Sequence, residues 1–376
     1  MQTGHYHLGW LHEHAGHAAG AAHHRATAAA TEPGPAFFGR VEEIAILQSA
    51  ADANPSDARA PYHLGNLLYD RRRYEEAMAS WERAASLEPG FPVTWRNLGI
   101  AYFNIRHSAE HAEAAYRKAR EADPTDARIL FEADQLAKRL GRPPSKRLSE
   151  LEAHRDLVDH RDDLGTELAT IYNDLGRHDD ALAYIMSRRF HPWEGGEGLI
   201  AGEHVRAHLR LAQSALTRKR AGEAREHLEA ALRSPDNLGE ARHLLTAQHD
   251  LHYHLALALE ALGDHDGAQR ELTLAADPRA SQQPPTVPVP LLAEASYWRA
   301  LALRRQGDEG AATRLLMDLR DAARRQAEAE VKIDFFATSL PSMLLFEDDL
   351  TRRNRANSRY LEGLAHLGLG SLAEAR

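Results

Sequence analysis

Two stretches of the chain carry the same landmarks at the same spacing. YHLGWLHEHAGHAAGAAHHRATAAATEPG (residues 6–34) and YHLGNLLYDRRRYEEAMASWERAASLEPG (residues 62–90) both open on Tyr-His-Leu-Gly and close on Glu-Pro-Gly. Leu64-Gly65 recurs 34 residues later as Leu98-Gly99. Self-similarity at a period of about 20–50 residues indicates a stacked array, in which each unit buries its apolar face against its neighbours. We therefore expect one repeat array.

The residues inside one unit predict a pair of helices. Leu98 and Tyr102 are four apart and share one face of a first helix. Gly99 lets a second helix approach closely, and Pro124 ends that helix. The full pattern of this unit is Trp95, Leu98, Gly99, Tyr102, Ala112, Tyr116, Ala119 and Pro124. It resembles the tetratricopeptide repeat (TPR), a hairpin of two antiparallel helices.

A glycine followed five residues later by an alanine marks the turn of further hairpins. This pair recurs as Gly16/Ala21, Gly176/Ala181, Gly263/Ala268, Gly307/Ala312 and Gly370/Ala375. We expect an all-α solenoid of the TPR type with roughly eight to nine hairpins. Some units are degenerate. The solenoid is expected to be a right-handed superhelix whose concave face is lined mainly by first helices.

Breaks in the pattern predict the organisation along the chain. Residues 1–59 form an N-terminal hairpin and a degenerate unit, and residues 60–280 form the central array. Residues 281–290 (SQQPPTVPVP) are a proline-rich break. Residues 291–376 carry C-terminal hairpins with an irregular insert at 332–346. The chain opens on a first helix and stops within a second helix, so we expect its ends to be covered or continued.

Composition narrows the classes of function. The formal charge is −9, which disfavours nucleic acid as a partner. Stretches long and apolar enough to span a membrane are missing from the sequence. The chain has no cysteine and no recognisable leader, so we expect a cytoplasmic location. Nucleophile, phosphate-loop and dinucleotide motifs are also missing, so we expect no catalytic residues and no cofactor.

The 23 histidines raise the question of a metal site. HEHAGH at residues 12–17 lacks the second histidine of a His-Glu-x-x-His motif, because Gly16 stands in its place. His204 and His208 are four apart on one helix, but no third ligand lies near them in the sequence. We expect no metal site.

Several segments resemble the C-terminal TPR region of a family of large bacterial proteins. They are YHLGNLLYDRRRYEEAMASWERA, HRDLVDHRDDL, RRFHPWEGGEG, DNLGEARHLL and DFFATSLPSMLLFEDDL, spread over residues 60–350. In that family a β-sandwich domain related to galactose mutarotases, of unknown function, precedes the repeats. The resemblance implies a β-sandwich as a companion domain.

Two connections between hairpins carry unusual residues. RRFHPWEGGEG (residues 188–198) contains Trp193, whose flat face suits a sugar ring, a proline or a guanidinium group. DNLGEARH (residues 236–243) lies in the next connection, and successive connections of a solenoid stack on one edge. The predicted contact residues for a ligand or partner are His191, Trp193, Glu194, Glu197, Asn237, Glu240, Arg242 and His243. The alternative is that Trp193 only packs between hairpins and the glutamates pair with arginines.

These observations favour a non-enzymatic scaffold that binds a protein or peptide partner, and the β-sandwich companion is one candidate for it. A second interpretation is the helical half of a carbohydrate-processing assembly, in which residues 191–198 contact the sugar. A third is a peptide-binding co-chaperone. That function needs a basic clamp for a carboxylate, for which the first helices offer Asn66, Arg71, Arg96 and Asn97.

Overall fold

The computed structural model describes residues 2–34, 37–193, 195–241, 246–278, 290–331 and 345–375. In these ranges the chain forms nineteen α-helices and one short 3-10 helix, and it forms no strand. The expectation of an all-α fold built from helical hairpins is therefore confirmed. Most of the proline-rich stretch at 281–290 and of the insert at 332–346 lies outside the described residues.

Two compact units divide the chain. Unit 1 consists of Met1–Pro143 together with Leu345–Glu347. Its helices are α1 (Gln2–His14), α2 (Ala18–Ala30), α3 (Glu43–Ala53), α4 (Arg59–Asp70), α5 (Tyr74–Leu87), α6 (Pro92–Asn104), α7 (Ala109–Ala122) and α8 (Ala127–Arg139).

Unit 2 consists of Pro144–Leu344 and Asp348–Arg376. It begins with α9 (Pro144–Ala153), α10 (Arg155–Asp159), α11 (Asp162–Asp174) and α12 (His178–Met186). It continues with α13 (Leu199–Thr217), α14 (Ala221–Ala231), the 3-10 helix Asp236–Leu238, α15 (His249–Ala261) and α16 (His265–Ala276). The last helices are α17 (Pro290–Arg305), α18 (Glu309–Glu328) and α19 (Leu350–Gly368).

Neighbouring helices pack as hairpins within each unit. In unit 1 these are α1/α2, α4/α5 and α6/α7; in unit 2 they are α11/α12, α13/α14, α15/α16 and α17/α18, with α19 packed on α18. Consecutive hairpins also contact each other, as α5 contacts α6 and α14 contacts α15. Buried leucines and alanines of adjacent hairpins therefore pack together in shared clusters.

The two helices of a hairpin approach most closely where a glycine faces an aromatic ring. A Cβ atom at Gly65 of α4 would lie 2.5 Å from Cδ1 and Nε1 of Trp81 of α5. A Cβ atom at Gly99 of α6 would lie 2.6 Å from the Tyr116 ring of α7. Trp81 and Tyr116 are 3% and 2% exposed. The glycine of each hairpin is therefore required by the space that the ring fills.

The first hairpin uses an arginine in place of the aromatic residue. Gly9 of α1 faces the side chain of Arg25 of α2, which stands at the position that Trp81 takes in α5. Arg25 is 8% exposed, pairs with Glu13 and donates to Ser49 Oγ at 2.6 Å. The ion pair and the bond to Ser49 satisfy the buried guanidinium group, as Asn66 Oδ1 satisfies the indole N–H of Trp81 in the second hairpin.

The turns inside the hairpins share one backbone conformation. Gly16, Gly176, Gly263, Gly307 and Gly370, the five turn glycines found in the sequence, all have φ between 74° and 90°. The same left-handed conformation occurs without glycine at Arg72, His107 and Lys219 in three further hairpins, and the sequence pattern missed these turns. The alanine five residues on is fully buried in all three, at positions 77, 112 and 224.

Replacing Gly65 by alanine tests the close approach of the helices. We expect Gly65→Ala to lower the free energy of unfolding by about 1–3 kcal/mol, because the added methyl group overlaps a buried indole. Gly90→Ala is the matched control, since nothing lies within 4 Å of its Cβ position. Urea denaturation of both variants measures the difference. A Gly65→Ala variant as stable as Gly90→Ala would contradict this account of the packing.

Candidate functional site

The structure brings the two unusual connections of unit 2 together. The backbone N–H of Phe190 donates to the carbonyl oxygen of Asn237 at 2.8 Å. A Cβ atom at Gly239 would collide with the carbonyl group of Phe190, so the two backbones are in direct contact. Phe190 is 1% exposed and anchors the first connection in the core of the unit. Residues 188–193, 195–198 and 236–240 are named the connection pair below.

Three polar side chains of the connection pair bond to backbone groups in it or next to it. Asn237 Nδ2 donates to the carbonyl oxygens of Ile185 and Arg188, both at 2.9 Å, and so caps the end of α12. Both carboxylate oxygens of Glu240 accept the N–H of Gly198, at 2.9 Å, at the start of α13. Glu197 accepts the N–H of Gly195 at 2.9 Å.

Asp162 of α11 holds the start of the first connection. Arg188 Nη2 donates to Asp162 Oδ1 at 2.6 Å, and the guanidinium group stacks over Phe190 at 4.7 Å. The backbone N–H of His191 donates to Asp162 Oδ2 at 3.0 Å, while the imidazole is largely exposed. The pairing of connection residues with charged neighbours is thus a structural anchor.

Trp193 lies over its own turn. The N–H of Gly196 donates to the carbonyl oxygen of Trp193 at 3.0 Å, and a Cβ atom at Gly196 would overlap the indole ring. Trp193 is half-buried and Gly196 is buried. One face of the ring covers the turn, and the ring keeps part of its surface open to solvent. Glu194, Arg242 and His243 lie outside the described residues.

Truncating Trp193 separates the two interpretations of this ring. We expect Trp193→Ala to cost about 1 kcal/mol or less of unfolding free energy, because the ring is half-exposed and packs on a surface turn. Trp81→Ala, which removes a buried indole, is expected to cost about 3–5 kcal/mol. Thermal or urea unfolding of both variants provides the measurement. A Trp193→Ala loss as large as that of Trp81→Ala would show that Trp193 is a core residue.

A second site lies in unit 1, where a segment from near the end of the chain contacts α6 and α7. Phe346 is 2% exposed. Its ring meets Phe103 of α6 edge-on, with centroids 5.2 Å apart at 75°, and Tyr116 of α7 at 5.8 Å and 64°. Edge-to-face geometry at these distances is favourable for aromatic pairs. Leu345, partly buried, packs against the same cluster.

Asn104, the last residue of α6, holds the backbone on both sides of Phe346. Its Nδ2 donates to the carbonyl oxygen of Leu345 at 2.9 Å, and its Oδ1 accepts the N–H of Glu347 at 2.9 Å. One side-chain amide thus satisfies a donor and an acceptor of a non-helical segment. Phe103, Asn104, Tyr116 and Tyr69 form what is named the Phe346 site.

Burial raises the pKa of two tyrosines at this site, Tyr69 and Tyr116. Burial, and then the neighbouring Tyr74 and Glu347, raise the pKa of Tyr69, while Asn104 lowers it. Burial and the Glu132 carboxylate raise the pKa of Tyr116 well above its usual value. The Tyr116 hydroxyl donates to Glu132 Oε2 at 3.0 Å, so the ring that faces Phe346 is fixed at both ends.

The identity of the repeat follows from its sequence and geometry together. Residues 65–105, which run from Gly65 of α4 through Asn104 of α6, match the family model described as TPR repeat. This part of the chain therefore carries a tetratricopeptide repeat.

Solved structures with similar repeats include three TPR or pilus proteins. YrrB, described as a TPR protein with an unusual peptide-binding site, is 18% identical over 58% of this chain and 97% of its own, with a TM-score of 0.37. A TPR protein from Parabacteroides merdae ATCC 43184 is 13% identical over 81% and 99%, with a TM-score of 0.38. PilW, a type IV pilus biogenesis factor, is 17% identical over 57% and 90%, with a TM-score of 0.31.

The side chains suggested for a carboxylate clamp are engaged in bonds within unit 1. Asn66 Oδ1 accepts from Trp81 Nε1 and from Asn97 Nδ2, both at 3.0 Å. Arg96 forms a bidentate pair with the buried Glu132, at 2.6 and 2.7 Å. Arg71 bonds to the carbonyl oxygen of Gly39. These four side chains therefore stabilise unit 1 through internal bonds.

The described histidines have varied partners: some pair with one another, and others bond to backbone carbonyl groups or to polar side chains. His208 Nδ1 lies 3.0 Å from His227 Nδ1, and burial together with His204 and His227 lowers the pKa of His208 to about 4. In the ranges that the structure describes, no three His, Asp or Glu side chains are grouped as metal ligands. Over the same ranges no helix is long and apolar enough to cross a membrane.

The sequence did not single out Asn104, Phe103 or Tyr69 as contact residues. The available signal was the apolar stretch SMLLF at 342–346, which breaks the helical pattern just before the acidic residues 347–349. Five apolar or small residues without amphipathic spacing need a surface that covers them. The sequence could not show which surface, because Asn104 and Leu345 are 241 residues apart.

Proposed function

We propose that this protein is a non-enzymatic scaffold that binds a protein partner through a short segment of the partner. The supporting observation is the Phe346 site, where a surface of a TPR hairpin already holds a short non-helical segment. Apolar contacts to one aromatic ring and a bidentate amide are the elements of a small recognition site. The repeat match at 65–105 includes Tyr69, Phe103 and Asn104 of this site.

The connection pair is a second proposed contact surface. It presents the half-exposed ring of Trp193 and the exposed imidazole of His191 from backbone that is held by Asn237, Glu240 and Asp162. A rigid backbone that displays an aromatic ring loses little entropy on binding. The remaining residues proposed for this surface are Glu194, Glu197, Arg242 and His243.

The partner is proposed to be a protein, and a β-sandwich domain encoded elsewhere is a specific candidate from the family resemblance. The alternative in which residues 191–198 contact a sugar gains no support, because Glu197 bonds to its own loop and Glu240 to the start of α13. A cytoplasmic location stays a prediction from the sequence.

A pull-down with matched variants tests the scaffold function. The intact chain is the bait, and any retained protein is purified and titrated against the chain by calorimetry. We expect a stoichiometric complex that Asn104→Ala weakens at least tenfold. Asn97→Ala is the matched control, since Asn97 lies on the same helix but bonds only to Asn66 and Arg96.

Two outcomes of the pull-down and the titrations would contradict the proposed function. Retention of no protein by the intact chain would argue against a scaffold. A partner whose affinity is unchanged by both Asn104→Ala and Trp193→Ala would show that neither proposed surface carries the binding.

A further inference from the structure

The segment in the Phe346 site comes from a distant part of the chain. Leu345–Glu347 belong to unit 1, whereas Asp348 and the residues after it belong to unit 2. The bonds to Asn104 span 241 and 243 positions in the sequence. Residues 345–347 therefore belong to unit 1, although the residues that follow them in the chain belong to unit 2. This arrangement is that of a ligand and its receptor within one chain.

The contacts show which features of the segment are recognised. The bonds from Asn104 go to backbone atoms, so they select the local conformation and accept any side chain that allows it. The Phe346 ring is almost fully buried among aromatic rings, and Leu345 is partly buried beside it. The Glu347 side chain is exposed, so position 347 contributes its N–H and little else. Recognition therefore centres on an apolar residue followed by phenylalanine.

From these contacts we infer that the Phe346 site is a binding site for a short non-helical segment with an apolar residue followed by phenylalanine. Leu345–Glu347 is its ligand in cis, and a partner segment of the same kind has to displace it. This inference rests on the proposed scaffold function and adds the class of ligand and the regulation of the site.

Because Leu345–Glu347 occupies the site in cis, it sets the affinity and concentration that a partner segment needs in order to bind. A tethered ligand acts at an effective concentration of about millimolar when its linker spans the distance without strain. A free peptide therefore competes poorly unless the cis segment is weakened. The site is closed at low partner concentration and opens to a partner that also binds elsewhere on the chain.

A labelled peptide of residues 342–349 (SMLLFEDD) provides the test in the full chain. We expect it to bind the Phe346→Ala chain at least tenfold more tightly than the unchanged chain, because the cis ligand has lost its ring. Adding Asn104→Ala to Phe346→Ala should abolish that binding, and adding Asn97→Ala should preserve it. Fluorescence anisotropy measures each affinity, and circular dichroism checks that every variant is folded.

Glu347→Pro is a second way to release the segment, in case Phe346→Ala disturbs the fold. Proline removes the N–H that donates to Asn104 and leaves the buried ring unchanged. Glu347→Pro is therefore expected to raise the affinity of the chain for the peptide, as Phe346→Ala does. Among the peptides, replacing Phe346 by alanine should abolish binding, and replacing Glu347 by alanine should leave it within about twofold, since that side chain makes no buried contact.

Two results would overturn the inference. One is equal affinity of the peptide for the unchanged, Phe346→Ala and Glu347→Pro chains. The other is peptide binding that survives Asn104→Ala. A partner captured by the intact chain, together with either result, would retain the scaffold function and reject the cis ligand. If the peptide binds as expected but the intact chain captures no partner, the result supports the site and contradicts the scaffold function.

Discussion

The close approach of two helices at a glycine beneath a large side chain is the constraint on which the hairpins of unit 1 depend. Because Gly99 has no Cβ atom, the Tyr116 ring packs directly against the backbone of α6 and fills the space between α6 and α7. The same ring faces Phe346, and its hydroxyl bonds to the buried Glu132, which Arg96 neutralises. Tyr116, which packs the hairpin together, therefore also forms a wall of the Phe346 site, and the packing of the repeat helps to hold that site rigid.

The two candidate surfaces differ in what their polar groups do. In the connection pair, Asn237 and Glu240 are occupied with helix ends, so this surface offers mainly the ring of Trp193 on a fixed backbone. In the Phe346 site, Asn104 stands at the end of α6 and directs both its donor and its acceptor to another segment. The amide of Asn104 therefore holds a segment that is distant in the sequence, and the proposed recognition role rests on these two bonds.

The hairpins were predictable because their constraints are local, whereas the binding site was not. Gly65, Gly99 and the five turn glycines follow from spacings of a few residues within one hairpin. The turns at Arg72, His107 and Lys219 were not marked by a glycine, because non-glycine residues adopt the left-handed conformation there. The neighbourhood of Trp193 and Asn237 could be anticipated from the stacking of connections, but the bonds that Asn237 makes could not. Contact between Asn104 and residues 345–347 depends on how distant parts of the chain meet, which spacing does not encode.

Hydrogen exchange at the Glu347 amide tests the central claim most directly, because that N–H has Asn104 Oδ1 as its acceptor. Exchange takes place in the intact chain, and mass spectrometry then measures the deuterium taken up by a fragment that covers residues 345–349. The account predicts slow exchange in the unchanged chain, loss of that protection in Asn104→Ala, and no change in Asn97→Ala. Equally fast exchange in all three chains would contradict it, since the segment would then not be held by α6.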